Sequence, residues 1–183
     1  MKLKALDQPK EVIDALQEFV KNPKGFIVLS GRNGTGKTYA AMAVYECLSP
    51  FKLPAYDHDY SYFITQANLN MIWSKEIKSQ GEATNLLDTM QKTKLLVLDD
   101  LGTREPTPPF MDFLYSIVYH RWDKGMATIL TTNLTYEDMR LICGDAFTSR
   151  ATSGKIFRID GQDRRRAYKN HTTINDKEKK AST

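Results

Sequence analysis

The sequence predicts an α/β domain built on a parallel, five-stranded sheet flanked by helices, and three observations lead there. Five short apolar runs recur along the chain, at residues 26–29, 62–64, 95–98, 127–130 and 156–159. The longer stretches between them carry helical periodicity, the alternation expected of right-handed strand–helix–strand crossovers. A glycine-rich turn follows the first run at once, and that run is compact enough to be a strand buried on both faces.

Each element has a local reason. Val12, Ile13, Leu16 and Val20 fall at helical spacing across residues 11–20, and Asn22-Pro23-Lys24-Gly25 stops the pattern. Residues 69–90 hold enough helix formers for two helices broken near Gly81. Residues 110–122 read as one helix after Pro106, Pro108 and Pro109, ending near Gly125. Thr135 with Asp138 makes a loose capping box for a further helix, which Gly144 can close. Residues 175–183 are polar and lysine-rich without an apolar anchor, so they read as disordered. The organisation predicted is a lead-in helix over residues 1–25, one domain over 26–168 and a polar tail over 169–183.

Composition narrows the class. With 183 residues, 41% hydrophobic and 26% charged, the chain can bury one full core. Cys47 and Cys143 have no metal-ligand spacing and make no disulfide framework, so they read as buried fillers in a reducing cytoplasm. No run approaches the roughly 18–20 apolar residues that span a bilayer, and residues 1–10 lack the apolar centre of a signal peptide. These features point to a cytoplasmic protein without a membrane partner. A formal net charge of +4 permits contact with a polyanion without requiring it.

Gly31-Arg32-Asn33-Gly34-Thr35-Gly36-Lys37-Thr38 fits G-x-x-x-x-G-K-[ST] without a mismatch, and it lies between a predicted strand and a predicted helix. That context makes it the phosphate-binding loop of a P-loop NTPase. The glycines let backbone N–H groups converge on a β-phosphate, and the helix behind them offers its positive end. Lys37 suits β/γ oxygens, and the Thr38 hydroxyl suits magnesium. Gly31, Asn33, Gly34, Thr35, Gly36, Lys37, Thr38 and the following Tyr39 are the nucleotide-binding candidates.

Leu95-Leu96-Val97-Leu98-Asp99-Asp100 is an apolar strand ending in two carboxylates, at the sheet edge where α/β proteins bind ligands. This is a Walker B pattern. Asp99 is the candidate for the magnesium shell, and Asp100 for orienting or activating the attacking water; a simple turn cap is the other reading of Asp100. The run 127–131 leads into Thr132-Asn133, whose amide can hydrogen-bond that water, although an asparagine there can also merely open the next turn.

Guanine specificity in GTPases rests on an N-K-x-D element that this sequence lacks, so ATP is favoured. A P-loop small-molecule kinase stays open as a different class, as does a nucleotide-binding regulatory module with negligible turnover. Tyr56-Asp57-His58-Asp59 superficially suggests metal ligands, but a single histidine in an acidic loop reads as surface decoration.

The order of motifs resembles the DnaC/DnaI-type helicase loaders and their IstB-type transposition relatives, in the initiator group of AAA+ ATPases. The resemblance covers about residues 7–166. It rests on Gly31 to Thr38, on Phe63-Ile64-Thr65 leading to the helix around Leu69, on Leu86-Leu87 ahead of Leu-Asp-Asp-Leu-Gly at 98–102, and on Thr131-Thr132-Asn133. It implies an AAA+ core, ATP with Mg2+, and Asn133 as the sensor. It also implies an arginine finger, matched at Ser149-Arg150-Ala151 by Arg150, which would act on a neighbouring subunit's γ-phosphate and tie efficient hydrolysis to self-association; an arginine in a surface ion pair is the other reading. The ending Gly161-Gln162-Asp163-Arg164-Arg165-Arg166 matches best with Arg165 as a second sensor, with Arg164 and Arg166 as neighbouring registers and a nucleic-acid contact or a solvated basic cluster as the other readings.

The same resemblance implies partners: a replicative DNA helicase, or a transposase, and single-stranded DNA. The helices between Leu69 and Met90 stand where initiator-group proteins insert a helix that lines the strand channel. Lys75, Lys78 and Lys92 can meet phosphates there, or form an ordinary solvated face; Ile72 and Trp73 read as core. Loaders usually carry an N-terminal helicase-binding domain, whereas about 25 residues precede the first strand here, so the resemblance is to a minimal form. The function implied is a slow ATPase, stimulated by assembly or DNA, that places a helicase on single-stranded DNA.

Overall fold

The structure, a computed structural model, describes residues 3, 6–49, 61–80, 84–161 and 163. In chain order its elements are α1 (Lys10–Lys21), β1 (Phe26–Ser30), α2 (Lys37–Leu48), β2 (Ser61–Thr65), α3 (Gln66–Gln80) and α4 (Thr84–Lys92), followed by β3 (Leu95–Leu101), α5 (Pro108–Asp123), β4 (Ala127–Thr132), α6 (Tyr136–Cys143), α7 (Asp145–Ala151) and β5 (Lys155–Arg158). The five strands form one sheet in the order β2-β3-β4-β1-β5, and every neighbouring pair is parallel. All five predicted strands are present, and the sheet is the one the apolar runs imply.

Strand alternation builds two cores. Phe26 and Val28 of β1 face the core that includes Leu69, Met90, Phe110, Leu114 and Phe147, while Ile27 and Leu29 face the one that includes Val12, Leu16, Phe19 and Val44. β3 divides likewise, with Leu96 and Leu98 on the first side and Leu95 and Val97 on the second. Helices α1 and α2 therefore cover one face, and α3 to α7 supply the other. The buried face of α2 includes Ala40, Ala41, Ala43 and Val44, small side chains that let the helix behind the glycine-rich turn approach the strands closely.

The capping box predicted at Thr135 forms with Asp138, and Gly144 ends α6. α5 starts two residues earlier than the apolar pattern suggests, because proline is well accommodated in a first helical turn. Residues 69–90 give two helices, as expected, although the break near Gly81 lies outside the described residues. Trp73 and Ile72 pack partly buried against the first core. One expectation is corrected: Cys47 is exposed, because the buried face of α2 closes at Val44 and Cys47 lies in the terminal turn beyond it. Cys143 is buried, and burial pushes its thiol up to about 11. Among the described residues, no helix is long and apolar enough to cross a membrane.

The sequence gives no warning of Arg121, which is fully buried near the end of α5. Its Nη1 donates to the carbonyls of Met90, Gln91 and Thr93 at 3.0, 3.2 and 2.8 Å. Nη2 donates to Ala127 O at 2.6 Å, and Nε to Thr128 Oγ1 at 2.8 Å. The side chain thus closes the carboxyl end of α4 and pins it to the start of β4. Burial lowers its pKa to about 9, which leaves it a cation at neutral pH, held by oxygen dipoles. Arg121→Met orphans these buried acceptors, so chemical denaturation should show a loss of about 3 kcal/mol or more.

Candidate nucleotide-binding site

The glycine-rich turn leaves β1 at Ser30 and is shaped by close approach. Gly31 has φ +139°, and a Cβ there would lie 2.1 Å from the carbonyl oxygen of Ile159 at the exit of β5. Its N–H donates to Thr132 O at 3.2 Å, which ties the turn to the tip of β4. Gly34 faces Asp163, whose carboxylate oxygen would be 1.8 Å from an added Cβ. The chain beyond β5 therefore returns over the loop. Thr35 Oγ1 donates to Arg32 O at 3.0 Å, and Gly36 caps α2.

Lys37 opens α2, almost fully buried. Its Nζ donates to the carbonyls of Gly31 and Arg32, both at 2.8 Å, and to Asn133 Oδ1 at 2.7 Å. Asn133 Nδ2 in turn donates to Asn33 Oδ1 at 2.7 Å. The amide at the end of β4 is thus joined to both the loop and its lysine. A phosphate oxygen offers that ammonium a charge-assisted bond stronger than those to neutral carbonyls.

The second half of the site hangs on Asp99, which is only 3% exposed. Its Oδ1 accepts from Thr38 Oγ1 at 3.0 Å and from Thr131 Oγ1 at 2.6 Å. Burial raises its pKa, the two hydroxyls and Lys37 oppose that shift, and Asp100 adds to it. A buried carboxylate beside a hydroxyl at a helix start, its charged form disfavoured by desolvation, fits a divalent cation, which would compensate the charge. Among the described residues there is no group of three or more His, Cys, Asp or Glu able to hold a metal. An ion held by Thr38 and Asp99 would share nucleotide oxygens, as magnesium does in P-loop sites.

Asp100 is the only non-glycine described residue with positive φ, at 55°. It lies where the β3/β4 register shifts between Leu98 and Leu101, and its N–H donates to Thr131 Oγ1 at 3.0 Å. A left-handed aspartate costs conformational energy and persists because the surroundings fix it. Gln66, buried at the start of α3, helps to fix the turn that follows. Its Oε1 accepts from Gly102 N at 2.7 Å, and its Nε2 donates to Arg104 O at 2.9 Å.

The tips of β1, β4 and β3 thus bring together Gly31, Asn33, Gly34, Thr35, Gly36, Lys37, Thr38, Asp99, Asp100 and Asn133. Tyr39 follows in the first turn of α2, 54% exposed. Arg150 is elsewhere. It sits on α7, which leads into β5 at the opposite edge of the sheet, where Gly154 packs on the Phe26 backbone at the start of β1. Arg165 and the segment 56–59 lie outside the described residues. Thr131 and Gln66 carry structural roles that residue patterns did not reveal; the sole hint at Thr131 is a hydroxyl two residues before Asn133, on the same strand face.

Because Asp99's pKa is raised on folding, the native protein without nucleotide holds that proton more tightly than the unfolded chain does. Stability is then lost as pH rises through the raised value, and Asp99→Asn removes the loss. At pH 7–8 the variant should melt above the parent without nucleotide, with the gap closing as pH falls toward the ordinary carboxylate range. The same variant should lose magnesium-dependent nucleotide affinity, measured by calorimetry with and without the metal.

A sequence profile of the family described as "IstB-like ATP binding protein" matches residues 4–158. A curated relative, "Uncharacterized protein YdaV" of Escherichia coli (strain K12), is 27% identical over 148 residues, covering 81% of this chain and 56% of that protein, so the chain matches little more than half of its length. Among solved structures, the DnaC helicase loader superposes with a TM-score of 0.73 at 22% identity, covering 87% of this chain and 96% of that one. The replication initiator DnaA, bound to AMPPCP and single-stranded DNA, superposes with a TM-score of 0.75 at 16% identity, over 88% of this chain and 50% of that one. These likenesses show the fold, a five-stranded parallel AAA+ P-loop core. With its glycine-rich turn, paired acids and strand-tip asparagine on that core, the chain belongs to the IstB-like ATP-binding protein family.

Proposed function

We propose that the chain binds ATP with magnesium at the strand tips, hydrolyses it as an assembly, and uses the cycle to place a replicative helicase on single-stranded DNA. The observation that carries this reading is the shared geometry of Lys37, Asn133, Thr38 and Asp99 across β1, β4 and β3. Lys37 binds β/γ oxygens, Thr38 and Asp99 hold the metal that would neutralise developing charge, and Asp100 with Asn133 orients the attacking water. Arg165 is assigned the second-sensor role on the family resemblance alone, since it lies outside the described residues.

Arg150 serves a neighbouring copy. The five residues of β1, roughly 17 Å of strand, lie between the sheet edge where α7 sits and the edge that bears the phosphate loop. That separation supports action in trans and makes turnover depend on association.

Single-stranded DNA is bound through α3, where Lys75 and Lys78 are exposed on the same helical face as the exposed Met71. Lys92 contributes less, because Asp88 engages it at 2.5 Å. The match to the IstB-like profile keeps a second reading, an ATPase that assists a transposase. Capture of tagged protein from its native cell discriminates, by recovering either helicase or transposase.

Lys37→Ala should abolish nucleotide binding. Arg150→Ala should spare binding yet remove association-stimulated turnover, and mixing these two variants should restore part of it. Parent-level turnover in Arg150→Ala contradicts the trans assignment. Affinity for single-stranded DNA should fall with salt, and replacing Lys75 and Lys78 by alanine should reduce the log–log slope by about 1.4. Absence of DNA binding at low salt, with ATP and magnesium present, removes the loader reading.

A further inference from the structure

Arg150 does not project from the protein. Its Cζ lies 5.4, 5.1 and 5.2 Å from the ring centroids of Tyr115, Tyr119 and Trp122. These residues fall at i, i+4 and i+7 on α5 and form one aromatic wall, with Tyr115 and Tyr119 at 6.0 Å and Tyr119 and Trp122 at 6.3 Å between centroids. Nη1 turns back to Ala146 O in its own helix at 2.9 Å, and Nε is buried without a hydrogen-bond partner. Tyr119 and Trp122 remain 44% and 43% exposed, so the wall lies at the surface.

We propose that Tyr115, Tyr119 and Trp122 are positioning residues that hold Arg150 folded back on its own protomer and yield it only to a second copy carrying nucleotide. The inference rests on the reading of Arg150 as a finger acting in trans. The cage gives the guanidinium a home made of cation–π contacts and one neutral carbonyl, while leaving the Nε–H unsatisfied. A γ-phosphate of a neighbouring copy offers charge-assisted, bidentate bonds that satisfy the same donors better. The arginine thus has two places to sit, and only a nucleotide-loaded neighbour makes the second the more stable. Encounters between empty copies leave the finger caged.

Weakening the wall should make release easier. In Trp122→Leu and Tyr119→Leu, the protein concentration giving half-maximal self-stimulated ATP hydrolysis should fall about three- to tenfold. Turnover at saturating protein concentration and nucleotide affinity of the dilute protomer should stay at parent values, with thermal melting confirming that each variant is folded. An unchanged or higher midpoint overturns the proposal. A second measurement does not depend on turnover: the Nε–H resonance of Arg150, identified by its disappearance in Arg150→Lys, should lie upfield under the ring currents in dilute protein. Adding AMPPCP and magnesium at associating concentrations should shift it toward the position of a free arginine. A resonance already at the free position, or one that does not move on association, also overturns the cage. Parent-level turnover in Arg150→Ala would instead sink the finger reading, and the resonance then decides separately whether the cage opens.

Discussion

The buried carboxylate of Asp99 is the constraint around which the strand tips are organised. A charge taken out of water must be compensated, and here the means are two threonine hydroxyls from different elements, Thr38 at the start of α2 and Thr131 near the end of β4. Thr131 also accepts the Asp100 N–H, so one hydroxyl settles both acids. From that point the rest follows: the register shift of β3, the left-handed backbone of Asp100, and the Gln66 clamp on the turn beyond it. The site is stabilised as a unit, yet without a cation its central acid is raised toward its neutral form. Stability and function pull in opposite directions at this residue, as they commonly do where a site is preorganised for a ligand.

The same economy appears on the lysine side. Lys37 is fully engaged by the loop carbonyls and Asn133, so the loop is closed around its own cation. Nucleotide phosphates would replace those carbonyls, and Asn133 would be freed to turn from lysine to water. β4 lies between β1 and β3, which puts this amide between the lysine-bearing loop and the paired acids.

Much of the fold and the centre of the site were legible in the sequence because their signals are local. Apolar runs mark strands wherever both faces are buried, and the loop motif fixes its own backbone through glycines and the helix start. Thr135 and Asp138 cap their helix within four residues, so their pairing needs no tertiary knowledge. Arg121, Gln66 and Thr131 are invisible for the opposite reason: apart from nearby contacts, each is defined by partners 28 to 38 residues away, and nothing in their own neighbourhood distinguishes them. Cys47 departs from the burial usual for cysteine because residue type says nothing about where a helix outruns its buried face. The cage around Arg150 combines a helical spacing on α5 with an arginine nearly 30 residues later, and neither half signals the other.

The most direct test of the account is a crystal structure with AMPPCP and magnesium. It should show Lys37 Nζ on β/γ oxygens in place of the Gly31 and Arg32 carbonyls, and the metal bound by Thr38 and facing Asp99. A nucleotide bound with Lys37 still on those carbonyls, or a metal remote from Asp99, would contradict the central claim.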